Sequence, residues 1–266
     1  MEDTLTIPKS PIVKLSQMFY YTCLWFLFYI ILHNFINFKA KKLIVLDVKN
    51  RLASISHGFM TFSFCCYFVF LYGFDIEMEN NVFANKINCF AQGYFIYDLI
   101  ACLYFGLWDK KLILHHMTCI SGGIFLLMNE KGSFVVVIGL LMAESSNFPM
   151  HFRVICRSLG LKHTKLYELA DIMYMAIYFV FRGLLSPLVL ALTFFSAKTP
   201  WVIKLAFTSL LLQSLYFISI MFSICKKKRI QYAERKAKKI KLFWLSVNPE
   251  VLKLDYLKKK EKSRIF

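Results

Sequence analysis

Two adjacent histidines, His115 and His116, stand in the apolar sequence KKLILHHMTC. An imidazole exchanges a proton near neutral pH, so it can act as a general base or attack an acyl group itself. Neighbouring residues on an α-helix point about 100° apart, so the two rings cannot face one spot equally. We expect one ring to meet a reacting group while the other binds a carboxylate such as Asp98 or Glu144. Metal binding is less favoured, because two ligands on one helical face are typically four residues apart.

Other polar side chains recur at helical spacing inside apolar segments. Residues three or four apart share one face of a helix, and ionisable groups within a membrane helix normally face the bundle interior. These faces therefore predict an interior polar cluster, nearer the cytosolic side of the membrane. Its members are Ser54, His57 and Thr61, just after Arg51; Tyr94 and Asp98; Glu144, Asn147 and His151; and Asp171, Tyr174, Tyr178, Arg182 and Ser186.

This cluster has two interpretations. In one, it only holds the bundle together: Arg182 pairs with Asp98 or Glu144, and the histidines hydrogen-bond across helices. Interhelical hydrogen bonds contribute about 0.6 kcal/mol on average, which is a weak reason to keep so many polar groups. In the other, which we favour, the cluster lines a cavity that receives a lipid headgroup or an acyl thioester. The substrate-binding residues would then be Arg51, His57, Tyr94, Asp98, Glu144, Asn147 and Arg182.

The elements that position these residues follow from an apolar composition. Of the 266 residues, 58% are hydrophobic, and a mean hydropathy of +0.53 is too high for an ordinary soluble domain. A bilayer core needs about 20 mostly apolar residues per helix, and no strand-like alternation indicates a barrel. We predict an all-α polytopic bundle of about seven transmembrane helices around a central, lipid-accessible cavity. The predicted spans are 17–37, 54–74, 83–107, 111–128, 133–151, 168–195 and 201–224.

The charges of the loops agree with seven spans. Basic residues concentrate in FKAKKLIVLDVKNR, WDKK, HFRVICRSLGLKHTK and the C-terminal tail, whereas DIEMENN, NEKGS and SAKTP hold few. Under the positive-inside rule the C-terminus is cytosolic and the N-terminus lumenal.

Gly183 and Pro187 predict a kink or tilt in the sixth span. The N-terminal residues lack the pattern of a cleaved signal peptide, so the first span is expected to act as a signal anchor.

The eight cysteines and the basic tail both have ordinary structural interpretations. No cysteine belongs to a C-x-x-C pair and most lie in apolar windows, so we expect small buried hydrophobes and not disulfides or metal ligands.

The tail after Cys225 holds 15 lysine and arginine residues against four acids. We expect it to rest near anionic headgroups, with no nucleic-acid partner. Phe243, Trp244 and Leu245 suggest that part of it lies in the membrane interface.

Five segments together resemble the TLC-domain family, which includes the ceramide synthases. They are, in order, NRLASISHG, GYFIYDLI, DKKLILHHMTCISG, MAESSNFPMHFR and FVFRGLLSP. The resemblance covers about residues 45–225 and is nearest to the small members that consist of a TLC domain alone. It divides the chain into a first segment with one helix (1–44), a TLC domain of six helices (45–225) and a basic cytosolic tail (226–266).

The resemblance implies a helical bundle around a lipid-accessible cavity, usually in the endoplasmic reticulum. In ceramide synthases the paired histidines are essential for N-acylation of a sphingoid base by fatty acyl-CoA. His115 and His116 would then be catalytic, with Asp98 and Glu144 as polar support. The sequence departs from the ceramide-synthase pattern after the histidine pair, where ISGG replaces acidic and aromatic surroundings. It also lacks a homeobox-like segment between the first two spans.

Two functional hypotheses follow. The first is a protein of lipid homeostasis that binds an acyl chain or lipid and uses His115 and His116 for acyl transfer, with acyl-CoA as substrate and no cofactor. The second is a non-enzymatic lipid sensor, cargo receptor or accessory subunit. Membrane lipids are the expected partners of both, and membrane-protein partners or self-association fit the aromatic-rich outer surfaces.

Overall fold

The chain forms an all-α bundle, as the composition predicts. The computed structural model describes residues 10–78, 80–108 and 110–254, and within these ranges it contains helices and no strand. The tail beyond residue 254 lies outside the described residues. The helices are α1 (Pro11–Phe35), α2 (Lys42–Tyr72), α3 (Val82–Phe105), α4 (Lys110–Asn129), α5 (Ser133–Glu144), α6 (Asn147–Ser158), α7 (Lys165–Tyr178), a π-helical segment (Phe179–Leu185), α8 (Ser186–Phe195), α9 (Trp201–Ala237) and a short 3₁₀ helix (Pro249–Lys253).

Six helical stretches among the described residues are long and apolar enough to cross a membrane, so this is an integral membrane protein. They are α1, α2, α4, α5 with α6, α7 with α8, and α9. The remaining predicted span, 83–107, forms the 24-residue helix α3, which is not among these six. Its length of about 36 Å, at 1.5 Å per residue, exceeds the hydrocarbon core.

Helix α3 can be polar because protein surrounds it. It packs against α1, α2, α4 and α5, and its side chains Asn88, Gln92 and Asp98 are all buried. Asn88 Nδ2 donates to the carbonyl of Gly123 in α4 at 3.0 Å. Since neighbouring helices bury these groups and bind Asn88 and Asp98, α3 does not need the apolar surface of a lipid-facing helix.

Contacts between loops group the ends of the helices as predicted. The carboxylate of Glu77 accepts hydrogen bonds from the backbone of Ala197 and Lys198, and Ser133 Oγ donates to Asn80 Oδ1 at 2.9 Å. The loops α2–α3, α4–α5 and α8–α9, which carry few basic residues, therefore meet at one end. At the opposite end the amide of Lys165 donates to the carbonyl of Phe243, which ties the tail to the α6–α7 loop.

Three helix boundaries differ from the prediction. Most of the predicted loop 38–51 is helical, because α2 begins at Lys42. The predicted span 133–151 is broken at Ser145–Ser146 and resumes as α6. Pro149 explains the break, because a proline lacks the N–H that a continuous helix needs but fits its first turn. Helix α9 continues to Ala237, well beyond the predicted end at 224.

The predicted irregularity at Gly183 and Pro187 takes the form of a π-helical segment. Pro187 has no N–H for the carbonyl four residues earlier, so a regular α-helix cannot be completed there. Both the backbone N–H and the hydroxyl of Ser186 donate to the carbonyl of Phe181, five residues before it. The wider turn contains Arg182, a predicted site residue. Such π-bulges are frequent at functional sites.

The described part of the tail folds back on the bundle. Leu242, Val251 and Leu254 form a small apolar cluster of their own. Trp244 and Leu245 remain exposed, and the Lys165 ammonium lies 5.5 Å from the Trp244 ring centroid. Their exposure is compatible with the predicted position in the membrane interface.

Candidate functional site

A cavity lies inside the bundle between α4, α5, α8 and α9, with one side closed by α3. It has a volume of about 100 Å³ and is partly open, and this volume is room for several water-sized groups. His115 and Arg182 lie on its wall, together with Gln92, Cys119 and Ser186. The rest of the wall is mostly apolar and includes Phe95, Leu126, Val136, Leu140, Val189, Leu190, Ile203, Phe207, Leu210 and Leu211.

Small residues make the space. Gly122 and Gly123 of α4 and Gly139 of α5 all line the cavity. A Cβ on Gly123 would lie 1.9 Å from Gln92 Nε2, and one on Gly139 would lie 2.6 Å from Phe207 Cζ. At both positions a larger residue would collide with a side chain of a neighbouring helix, so Gln92 or Phe207 would have to move.

His115 is held by two neighbours. Its Nδ1 lies 3.3 Å from Gln213 Oε1 of α9, and its Nε2 lies 3.7 Å from Cys119 Sγ, one turn further along α4. Gln213 Nε2 donates to the carbonyl of Lys111 at 3.1 Å, which leaves Oε1 to face the imidazole. Because an amide oxygen only accepts, Nδ1 carries the proton and Nε2 is free to accept one from the thiol.

His116 points away from the cavity and binds a buried carboxylate. Its Nε2 lies 3.1 Å from Asp98 Oδ2. The other oxygen of Asp98 accepts from Asn50 Nδ2 at 2.7 Å, and Tyr97 donates its hydroxyl proton to Asn50 Oδ1 at 2.8 Å. This network joins α2, α3 and α4, and all four residues are buried.

His57, Tyr94 and Glu144 form a second buried group. The His57 ring stacks on Tyr94 with centroids 3.7 Å apart, and its Nε2 lies 3.0 Å from Thr61 Oγ1. Its Nδ1 is 3.7 Å from Glu144 Oε2, which is too long for a hydrogen bond. The same carboxylate oxygen accepts from Asn147 Nδ2 across the break between α5 and α6.

The two predicted arginines have different partners from those expected. Arg182 Nη2 donates to the carbonyl of Ala143 at 3.0 Å, and the pairing with Asp98 or Glu144 that the first interpretation required is not formed. Arg51 binds Asp47 at 3.0 Å and contacts His151 Nδ1 at 3.3 Å. This group lies apart from the cavity wall.

The predicted site residues therefore divide between the cavity and the buried networks. His115 and Arg182 line the cavity. His116 and Asp98 form one network, and His57, Tyr94, Glu144 and Asn147 form the other, with Arg51 in the group of Asp47 and His151. Their roles in binding and catalysis stay predictions.

Three residues on or behind the cavity wall were missed by the sequence analysis. Cys119 was interpreted as a small hydrophobe, although its spacing of four from His115 was visible in HHMTC. Gln92 is 2% exposed, and its Oε1 has no hydrogen-bond partner among the described residues. Gln213 is distant in sequence and carried no signal.

These features define a polytopic helical membrane protein whose internal cavity has a histidine on its wall. The family model of the TLC domain matches residues 47–226, and the chain belongs to this family. The TLC domain family of membrane proteins is linked to lipid metabolism.

One similar protein is TLC domain-containing protein 1 of Gallus gallus. It is 29% identical over 112 residues, which are 41% of this chain and 43% of the relative. The chain thus spans less than half of the length of this curated relative. No solved structure matches the chain.

Proposed function

We propose that the chain acts in lipid metabolism by binding the acyl chain of a lipid in the cavity between α4, α5, α8 and α9. The observation that carries this proposal is the composition of the wall: a mostly apolar surface with the Arg182 guanidinium and the His115 imidazole set into it. Apolar walls with a few polar groups are typical of small-molecule sites. Such a wall suits the methylenes of an acyl chain, and the polar groups suit its carbonyl or headgroup.

Two buried polar atoms on this wall have no partner among the described residues. They are Arg182 Nε, a donor, and Gln92 Oε1, an acceptor. Leaving a buried polar group unpaired costs about 1–3 kcal/mol. A ligand with a carbonyl, carboxylate or phosphate oxygen would satisfy Arg182, and a hydroxyl or amide N–H would satisfy Gln92.

Native purification followed by lipid mass spectrometry tests this proposal. The full chain should retain a defined lipid in stoichiometric amount. Arg182→Gln should bind it about 10- to 100-fold more weakly if one charge-assisted hydrogen bond of about 1.5–3 kcal/mol is lost. Arg153→Gln is the matched control, because Arg153 is not on the cavity wall. Its Nη1 instead binds Asp171 Oδ1 at a distance of 2.7 Å. A preparation that carries a stoichiometric protein partner and no lipid would instead favour an accessory subunit.

Acyl transfer from acyl-CoA is a second candidate, favoured by the position of His115 on the cavity wall. Its Nδ1 is held by Gln213, and His116 with Asp98 fixes the neighbouring turn of α4. Membranes containing the protein should form an N-acylated product from labelled acyl-CoA and a long-chain base. His115→Ala should abolish the product while the protein still inserts, and unchanged activity would remove His115 from the mechanism.

The orientation in the membrane is part of the proposal. The loops α1–α2, α3–α4 and α6–α7 and the tail are rich in lysine and arginine, and we place them in the cytosol, with the endoplasmic reticulum as the compartment. Labelling of a cysteine introduced at Ala197 or at Leu159 in sealed microsomes distinguishes the two sides, because both positions are exposed. Protection of a cysteine at position 197 and labelling of one at position 159 is the expected result.

A further inference from the structure

We propose that Cys119 is a nucleophile that accepts the acyl group as a thioester, with His115 as its base and Gln213 as the positioning residue. This inference rests on the proposed function, because it needs an acyl chain in the cavity. Cys119 and His115 both line that cavity. An acyl thioester bound in this cavity can therefore bring its carbonyl within reach of the Cys119 thiol.

Cys119, His115 and Gln213 form a chain of contacts beside the cavity. Cys119 Sγ lies 3.7 Å from His115 Nε2, within the range of a hydrogen bond from sulfur. His115 Nδ1 lies 3.3 Å from Gln213 Oε1. A nucleophile, a base in contact with it and a third group that orients the base form the arrangement typical of covalent catalysis.

The orientation of Gln213 fixes which nitrogen of the base is free. Gln213 Nε2 donates to the carbonyl of Lys111 in the first turn of α4. Its oxygen therefore accepts the Nδ1 proton of His115, and Nε2 presents a lone pair to the thiol. With the opposite tautomer, Nε2 would carry a proton and could not accept one from Cys119.

Arg182 and the cavity wall supply the rest of the site. The Arg182 Nε–H is buried without an acceptor among the described residues and belongs to the same wall. It can donate to the acyl oxygen, on which negative charge develops during attack. Gln92, whose Oε1 is also unpartnered, offers an acceptor to a second substrate that carries an amine or hydroxyl.

The proposed step is a transfer between two thioesters. The Cys119 thiol gives its proton to His115 Nε2, and the thiolate attacks the carbonyl carbon of an acyl-CoA. A new carbon–sulfur bond forms to Cys119, the carbon–sulfur bond to coenzyme A breaks, and the departing thiolate takes the proton from His115. The products are S-acyl-Cys119 and free coenzyme A. An amine or hydroxyl can then attack the acyl group, lose its proton to His115 and regenerate the thiol.

Peptide mapping by mass spectrometry after incubation with palmitoyl-CoA tests the step. The purified full chain should carry a palmitoyl group on Cys119 that neutral hydroxylamine removes. His115→Ala should slow this acylation about a hundredfold, as expected for loss of a general base. Cys66→Ser is the matched control, because Cys66 is exposed on α2 and can be acylated without catalysis. It should leave the labelling of Cys119 unchanged.

A second measurement follows the reactivity of Cys119 itself and needs no substitution of it. The rate at which methyl methanethiosulfonate modifies Cys119 is measured as a function of pH. In the native chain the reaction should stay fast down to a lower pH than in His115→Ala. Gln213→Ala should move this pH profile in the same direction as His115→Ala, toward higher pH. A structural role for Gln213 alone would leave the profile unmoved.

Two outcomes would overturn the inference: acyl groups only on other cysteines, or equal acylation of Cys119 in His115→Ala. Lipid retained without a covalent bond is measured in the same samples. If the lipid is retained and Cys119 is not acylated, only this inference fails. If neither is found, the proposed function fails with it.

Discussion

His116 Nε2 lies 3.1 Å from Asp98 Oδ2, and this contact joins α4 to the central helix α3. The neighbouring ring, that of His115, is 5.8 Å away between centroids and nearly perpendicular to it, and it lines the cavity. The two histidines thus have different surroundings, as expected for adjacent residues on a helix. The bond from His116 fixes the rotation of α4 and so keeps His115 directed at the cavity.

Asp98→Ala should destabilise the protein. The change would leave His116 Nε2 buried without an acceptor, at a cost of about 1–3 kcal/mol. Asn50 Nδ2 would keep only its contact with Cys102 Sγ at 3.7 Å. Unfolding in mixed micelles with increasing denaturing detergent measures the loss. Asp47→Ala is the control, since its ion pair with Arg51 is partly exposed and such pairs contribute less than about 1 kcal/mol. Equal losses of stability in the two variants would show that the buried network stabilises the protein no more than a partly exposed ion pair does.

The sequence was sufficient to predict the all-α bundle and the inward direction of its polar faces. Apolar length alone identifies membrane helices, and helical spacing identifies which residues share a face. Ser54, His57 and Thr61 lie at such spacing, and all three are buried. The location of α3 at the centre of the bundle could not be predicted, because it depends on packing between distant helices.

The division of the predicted site into separate groups was equally beyond the sequence. Spacing places Tyr94 and Asp98 on one face of α3, but Tyr94 stacks on His57 whereas Asp98 binds His116. The group that each side chain joins depends on its partners on other helices, and neither the periodicity nor the charge of the sequence predicts those partners. The contact of Gln213 with His115, across 98 residues of chain, is of the same kind.

Gly123→Ala should disrupt the cavity. Its Cβ would lie 1.9 Å from Gln92 Nε2 and 2.9 Å from Asn88 Oδ1, so both side chains must move and their hydrogen bonds break. We expect a destabilisation of about 1–3 kcal/mol, typical of overpacking, together with reduced lipid retention. Gly122→Ala is a close control, because its nearest neighbour would be Ala206 Cβ at 3.7 Å. That variant should unfold at the same detergent concentration as the native chain or at a higher one.

Ala206→Leu should exclude the ligand without removing any polar group. Ala206 lines the cavity, and the larger side chain fills space that an acyl chain would occupy. Lipid mass spectrometry should show loss of the bound lipid, while added apolar contact maintains the free energy of unfolding. Ala233→Leu adds the same atoms at an exposed position of the same helix and should retain the lipid. Retention of the lipid by both variants would place the ligand elsewhere.

Pro187→Ala should weaken lipid binding through the backbone. Restoring an N–H at this position lets α7 and α8 join as a regular α-helix, which removes the wider turn of Phe179–Leu185 and turns Arg182 toward a different face. We expect lipid retention to fall to the level of Arg182→Gln, although no side-chain donor is lost. Pro200→Ala makes the same chemical change at the N-cap of α9, where no helical N–H is required, and should leave retention unchanged. Hydrogen exchange across residues 179–187 reports whether a regular α-helix has replaced the π turn. If it has, and the variant still retains as much lipid as the native chain, the π turn is not needed for ligand binding.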